Sequence, residues 1–115
     1  MPRFNIEKIT LNAVALGSNQ TGSVVDMKTI DSFNYAVVVT AAAGLNTNLR
    51  LFGSNDGTNF AQIGSDVNVT ANGTYLIPSP ATAQGMHGYH YSRLDNVATA
   101  GTATGTAVYH GKGSA

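Results

Sequence analysis

Apolar and polar residues alternate along much of this chain, and that period of two predicts β-strands. The clearest run spans residues 33–41, and shorter alternating runs span residues 9–15 and 102–110. Turn-forming residues separate these runs, and no segment carries the apolar period of an amphipathic helix. The pattern predicts an all-β protein, a single antiparallel β-sandwich of jelly-roll or Ig-like type with about eight strands. The core-facing positions predicted in the clearest run are Phe33, Tyr35, Val37, Val39 and Ala41.

Two neighbouring hairpins are predicted after residues 42–47, a segment expected to reverse the chain. In the first hairpin, the polar turn Ser54–Asn59 contains Asp-Gly and separates two apolar runs. In the second, Asn72-Gly73 joins two short strands, because this dipeptide tolerates the positive φ angles of a type I′ turn. The face of the second hairpin that is predicted to enter the core carries Val67, Val69, Ala71 and Leu76.

The chain carries little charge for its length of 115 residues. Only 10% of its residues are charged, the formal net charge is zero, and there is no cysteine. Nucleic-acid binding needs clustered Lys and Arg, so a nucleic-acid partner is not expected. No apolar run reaches the roughly 20 residues of a membrane span, so neither is a membrane partner. A surface built from Thr, Asn, Ser and Gly favours packing beside copies of the same chain, because little charge opposes association.

The length predicts one domain that spans residues 1–115. Phe4 and Ile6 are out of phase with the apolar positions that follow, so either a bulge lies near Glu7 and Lys8, or residues 1–7 form an N-terminal arm. Residues 111–115 are predicted to form a loose tail. Residues 1–8 lack the apolar centre of a secretory signal, which predicts a protein made in the host cytoplasm without a signal peptide.

The titratable residues match no catalytic or metal-binding motif. Asp56 and Asp66 suit turns, where their carboxylates bond to nearby backbone N–H groups. In a strand, the spacing of His87 and His90 sends their rings to opposite faces, so the two do not form a ligand pair. We therefore expect no enzymatic activity, no catalytic residue, no cofactor and no metal site.

The segment 51–60 carries the most distinctive motif of the chain. A strand that ends in Gly-Ser is followed by Asn-Asp-Gly-Thr-Asn and an aromatic residue. This motif resembles a loop of small β-sandwich structural proteins of tailed bacteriophages, the capsid decoration and minor head proteins. The resemblance extends over residues 33–110, and it includes a Tyr-x-Arg-Leu pattern matched by Tyr91–Leu94.

The resemblance implies a virion protein on the capsid surface, made to bind the major capsid protein and to stabilise the shell as a homotrimer. The implied mechanism is mechanical, since many weak neutral contacts add up over identical copies. The N-terminal arm is expected to dock on a neighbouring subunit, and the Asp-Gly loop is either a solvent-facing tip or a contact. The arm residues are Pro2, Arg3, Phe4, Asn5 and Ile6, and the loop residues are Asn55, Asp56, Gly57, Thr58 and Asn59.

Two other functions stay open on the sequence. The same loop occurs in discoidin-like carbohydrate-binding modules, and exposed tyrosines are a platform on which a host glycan stacks. Those modules usually carry a tryptophan, which this chain lacks. A tail or neck component would share the fold and form a ring. The tyrosines considered for the glycan platform are Tyr75, Tyr89, Tyr91 and Tyr109.

Overall fold

A computed structural model describes residues 3–77 and 90–114, and most of this part of the chain is extended. The prediction of an all-β sandwich of about eight strands is confirmed, and the described residues include no helix. The strands are β1 (Arg3–Ala15), β2 (Gln20–Thr21), β3 (Val25–Asp26), β4 (Ile30–Ser54), β5 (Ala61–Gln62), β6 (Val67–Val69), β7 (Gly73–Ile77) and β8 (Tyr91–Ser114).

Two long antiparallel strands, β4 and β8, form the axis of the fold. Their ladder begins with Ile30 opposite Gly113 and ends with Ser54 opposite Tyr91. The other edge of β8 pairs with β1, β2 and β3, and the other edge of β4 pairs with β5, β6 and β7. Every shorter strand therefore depends on one of the two long ones for its backbone hydrogen bonds.

Both long strands bend near their middle, and the bend folds the sheet into two layers. The β4–β8 register shifts between Thr40 and Thr47, and Ala41, Gly44 and Gly101 have φ angles of 57°, 61° and 78°. A Cβ atom on Gly101 would overlap the carbonyl oxygen of Gly44, so only glycine fits there. The prediction that residues 42–47 reverse the chain is wrong, because the strand bends there and continues.

The bend defines the two layers of the sandwich. Layer I contains β1, β7 and the halves of β4 and β8 that pair residues 30–40 with 104–113. Layer II contains β2, β3, β5, β6 and the other halves, which pair residues 47–54 with 91–98.

The inner faces of the two layers enclose one core. The hydroxyl of Tyr35 in layer I lies 2.7 Å from that of Ser92 in layer II, which bonds the layers together. The Asn96 side chain donates to the backbone carbonyl oxygens of Leu16 and Ser18, at 3.1 and 2.9 Å. Because buried polar groups must be paired, these bonds fix how the layers face each other. The largest fully buried apolar side chains are Tyr35, Tyr109, Leu16, Leu49, Leu94, Val37, Val39 and Val69.

The clearest alternating run behaves as predicted over most of its length. Tyr35, Val37 and Val39 are buried, and Phe33 is half-buried against the core. Ala41 is exposed instead, because its positive φ at the bend takes it out of the alternation.

The first predicted hairpin is confirmed and the second is wrong. Phe52 pairs with Gln62 across the Asp-Gly loop. Strands β6 and β7, by contrast, pair with β4 in layers II and I respectively, and Asn72 between them accepts a 2.8 Å hydrogen bond from the Ala42 backbone N–H. The long β4 ladder supplies the backbone partners of both strands, so Val69 is buried while Leu76 is 47% exposed.

The described parts of the two termini pair with each other. Arg3 lies opposite Ser114 and Glu7 opposite His110, so residues 3–7 begin β1 and residues 111–114 end β8. This pairing replaces the separate arm and loose tail expected for these residues. The alternation does continue to the end of β8, but the buried inner position 111 is a glycine, which apolar patterning cannot detect.

Candidate interaction surfaces

The Asp-Gly loop is held rigid by its own side chains. The Asp56 carboxylate accepts hydrogen bonds of 2.8 Å from the backbone N–H groups of Asn59 and Thr58 and from the Asn59 amide. Ser54 donates its hydroxyl to Asp56 and accepts from the Gly57 N–H at 3.0 Å. These bonds, led by the one from the Asn59 backbone, hold the pKa of Asp56 well below its usual range. The carboxylate is thus engaged within the loop, as expected of a turn former.

The outer face of layer II is built around the side chain of Arg93. Its guanidinium lies between two aromatic rings, 4.8 Å from the centre of Phe52 and 4.7 Å from that of Phe60. Its Nε also lies 3.0 Å from the Asp95 carboxylate. Cation–π contacts strengthen when the charge is shielded from water, and here the Arg93 side chain is only 22% exposed.

The other charges of layer II are also paired within the chain. Arg50 lies opposite Asp95 in the ladder and its Nε is 3.1 Å from Asp66. The Lys28 Nζ lies 3.5 Å from the Asp26 Oδ2, and it donates a hydrogen bond to the Tyr91 hydroxyl at 3.2 Å. We call the surface formed by Arg50, Phe52, Asp66, Arg93 and Asp95 the ion-paired face.

The outer face of layer I has the opposite character. Ile9, Val108, Ala36 and Leu76 stand side by side in one row across its four strands. Ile9 is 55% exposed, Leu76 47%, and Val38 in the following row 43%. Beside Val38, the next two rows toward the bend carry threonines and, on β1, Ala15. We call this surface the uncharged face, and its members are Ile9, Val108, Ala36, Leu76, Thr106, Val38, Thr74, Thr104 and Thr40.

Charge returns to layer I only at its far end, where the termini pair. Glu7 and Asn34 flank His110 in one row, and Lys112 follows in the next. A depression of about 280 Å³ opens here, lined by Ser32, Phe33, Asn34, His110 and Lys112.

The predicted arm residues lie in or next to β1, at the edge of layer I. Asn5 is exposed and Ile6 is 38% exposed. Arg3 and Phe4 occupy the preceding ladder positions, and Pro2 lies outside the described residues. Four of the loop residues are exposed, and Gly57 is half-buried against the Tyr91 ring. The arm and the loop therefore belong to different layers.

The described tyrosines do not form a common platform. Tyr109 is fully buried, Tyr75 is half-buried and donates its hydroxyl to the Ala71 carbonyl, and Tyr91 pairs with Ser54 at the far end of layer II. Tyr89 lies outside the described residues.

The two described histidines lie in different parts of the fold, and neither belongs to a cluster of three metal-ligating side chains among the described residues. His90 is exposed, His110 is half-buried, and His87 lies outside the described residues. Among residues 3–77 and 90–114, no three His, Cys, Asp or Glu side chains come close enough to hold a metal ion. Nor does this part of the chain contain a helix long and apolar enough to cross a bilayer.

Two features of these surfaces are not predictable from the sequence pattern. The stacking of Arg93 depends on Phe60, which the hairpin loop brings back over the sheet. The apolar row of layer I depends on pairing between four strands that are distant in the sequence. The Tyr-x-Arg-Leu motif did mark the position of Arg93, but not its partners.

Comparison with known proteins identifies the fold and no sequence family. No family model matches the chain, and no curated protein matches it. Its structure is similar to that of the SPBc2 prophage-derived protein YomS, with a TM-score of 0.59, 11% identity and coverage of 96% of both chains. It is also similar to VP2 of infectious bursal disease virus in a subviral particle, with a TM-score of 0.58 and 14% identity over 96% of this chain.

The two similarities differ in extent. The chain covers 33% of the VP2 chain, and it also covers 33% of the matching chain in the structure of the virus strain Gx, at a TM-score of 0.58. It thus spans about a third of the viral proteins, but nearly the whole of YomS. At identities of 11–14%, what these proteins share with the chain is the fold.

Proposed function

We propose that this chain is a virion structural protein without enzymatic activity, and specifically a capsid decoration or minor head protein of a bacteriophage. The observation that carries the proposal is its fold, which matches a prophage-derived protein over the length of both chains. The likeness to VP2 in viral particles supports the same role. The proposed partners are the major capsid protein and further copies of this chain, and the proposed location is the capsid surface.

The uncharged face is the proposed contact with the shell. Threonine and aliphatic side chains lose less hydration energy on burial than ions do, so this face can be covered at low cost. The ion-paired face has its charges satisfied by its own chain, and covering it would desolvate Arg50 and Asp66, whose side chains are about one third exposed. In this proposal the ion-paired face therefore points away from the shell.

The proposed mechanism is mechanical stabilisation through many weak contacts. The uncharged face has nine members, fewer than the roughly 20–30 residues that each partner contributes to a standard interface, so one contact alone is weak. Copies joined to one another bind as a unit, and their combined affinity exceeds that of each contact. The segment Pro2–Ile6 is the proposed contact with the neighbouring subunit, in a homo-oligomer for which the resemblance implies a trimer.

The experiment that tests the function is co-sedimentation with shells of the major capsid protein of the same phage. The proposal predicts saturable binding of the purified chain at a fixed ratio to the capsid subunit, and slower disassembly of the decorated shells on heating. A chain that stays in the supernatant at all concentrations would contradict it.

Two further measurements identify the alternatives. Saturable binding to a host glycan by a monomer, without shell binding, would assign the chain to the carbohydrate-binding modules. A ring-sized mass by light scattering, again without shell binding, would assign it to the tail or neck.

A further inference from the structure

Strand β1 leaves a free edge at the end of layer I. It is the outermost strand in the order β1-β8-β4-β5, and within the described residues its ladder over positions 3–9 is formed with β8 alone. From Thr10 onward the outer edge is covered, because the Ser23 backbone N–H donates to the Thr10 carbonyl at 3.3 Å. The free edge is therefore a short stretch at the start of the strand.

A free edge presents unpaired backbone N–H and C=O groups, which bind a further strand of any chain that fits. What fits is decided by the side chains that come to lie opposite each other. Residues 3–7 read Arg-Phe-Asn-Ile-Glu, with a cation and an anion at the two ends, apolar residues next, and Asn5 in the centre. When the same segment of a second copy runs antiparallel to it, the cation of each copy faces the anion of the other, and the apolar residues face each other.

We propose that β1 pairs with β1 of a second copy, antiparallel and centred on Asn5. In this register each Arg3 position lies opposite Glu7 of the other copy, and each Phe4 position lies opposite Ile6. Opposite charges and apolar pairs both favour strand pairing when they face each other directly.

The proposed pairing is consistent with the two faces of layer I. The β1–β8 register is regular from Arg3 to Ile9, so positions 3, 5 and 7 share the outer side with Ile9, and position 6 lies on the inner side. The partner strand would therefore cover Ile6, which is 38% exposed in the single chain. Directly opposite residues of an antiparallel pair share one side of the sheet, so the axis between the copies is perpendicular to the sheet. The uncharged faces of both copies then point the same way and reach one shell.

This inference deepens the homo-oligomer part of the proposed function, but it needs no shell to be true. Five residue pairs make a small interface, so we expect a weak dimer that forms only where the local concentration of the chain is high. A two-fold contact joins copies in pairs, so residues 3–7 would then form a dimer contact, and a contact within the implied trimer would have to use another part of the chain.

A cysteine at the centre of the pairing tests the register directly. The chain has no cysteine, so Asn5→Cys can form a disulfide only between two copies. Opposite residues of an antiparallel pair have Cα atoms roughly 4.5–5.5 Å apart, within the range that a disulfide spans. The matched control is Asn12→Cys, which is also exposed on β1 but has no residue opposite it in this register. We expect Asn5→Cys to cross-link several-fold faster under mild oxidation. Equal rates, or no cross-link, would overturn the inference.

Charge reversal tests the pairing by rescue. Arg3→Glu places like charges opposite each other twice, and Glu7→Arg does the same with the other sign. Each single change is expected to lower the dimer association constant roughly fivefold, as measured by sedimentation equilibrium. The double variant Arg3→Glu/Glu7→Arg should restore it, and failure of this rescue would also overturn the inference.

The outcomes separate this inference from the proposed function. Co-sedimentation of the wild-type chain with shells tests the function, whatever the cross-linking result. Far-ultraviolet circular dichroism of each variant establishes that the sandwich is folded before association is measured.

Discussion

The two outer faces of this sandwich are built by the same two strands, yet they differ in nearly every chemical respect. In layer II, Arg93 and Asp95 form an ion pair, and Arg93 also lies between two aromatic rings. In layer I, the outward positions of the same strands between the bend and the row of Ala36 and Val108 carry only alanine, valine and threonine. The strands continue through the bend, so backbone pairing is common to both layers and the side chains alone set the difference.

The ion-paired face has its interactions satisfied within the chain, whereas the uncharged face exposes apolar side chains that no part of the described chain covers. Ion pairs and stacked rings within one chain satisfy charges without a second molecule. Covering the exposed aliphatic side chains of Ile9, Val38 and Leu76 removes apolar surface from water, which lowers the free energy of the system. The chain has twelve charged residues, and four of them are paired on the ion-paired face, while none belongs to the uncharged face, which is therefore suited to burial.

The largest expected effect comes from removing the bend on which both faces depend. Gly101→Ala combines a φ of 78° with a Cβ that would overlap the Gly44 carbonyl oxygen. We expect a loss of at least about 3 kcal/mol in the free energy of unfolding, measured by urea denaturation. The control is Gly64→Ala, with a φ of 72° and no atom near its Cβ, for which about 1 kcal/mol is expected. Equal losses in the two variants would show that the close approach at Gly101 does not matter.

A smaller effect is expected from Arg93→Ala on the ion-paired face. The change removes two ring contacts and leaves the carboxylate of Asp95, which is 13% exposed, without its cation. We expect a loss of about 1–2 kcal/mol in the free energy of unfolding. Arg50→Ala, which breaks a more exposed pair without aromatic stacking, should cost less than about 1 kcal/mol. Neither variant should bind shells less tightly once folded, and reduced binding would mean that this face also contacts the shell.

The sequence pattern predicts local features well and the assembly of the layers poorly. The inward positions Tyr35 to Val39 follow from alternation, and the Asp-Gly hairpin follows from a turn whose own side chains close it. The Asn-Gly dipeptide predicts a hairpin between β6 and β7, but each of these strands forms its backbone ladder with β4 instead. Tertiary pairing overrides a local turn preference in this case.

The candidate surfaces were only partly predictable for the same reason. The contact segment predicted from the sequence is Pro2–Ile6, and its described part, residues 3–6, does lie at a sheet edge, although it is paired with β8. The phase change itself lies further along, where the register shifts between Ile9 and Leu11 turn Ile9 outward. The uncharged face combines residues from four strands, so no local stretch of sequence contains it.

The most direct test of the account compares shell binding by two matched variants. Val38→Lys places a cation in the centre of the uncharged face, at a side chain that is 43% exposed. Val24→Lys makes the same change at a side chain that is 41% exposed, next to β3 of layer II. Both should change the free energy of unfolding by less than about 1 kcal/mol. We predict that Val38→Lys loses at least about tenfold in shell affinity by co-sedimentation, because burying an unpaired charge is costly, while Val24→Lys binds like the wild-type chain. Unchanged binding by Val38→Lys, or an equal loss in both variants, would contradict the account.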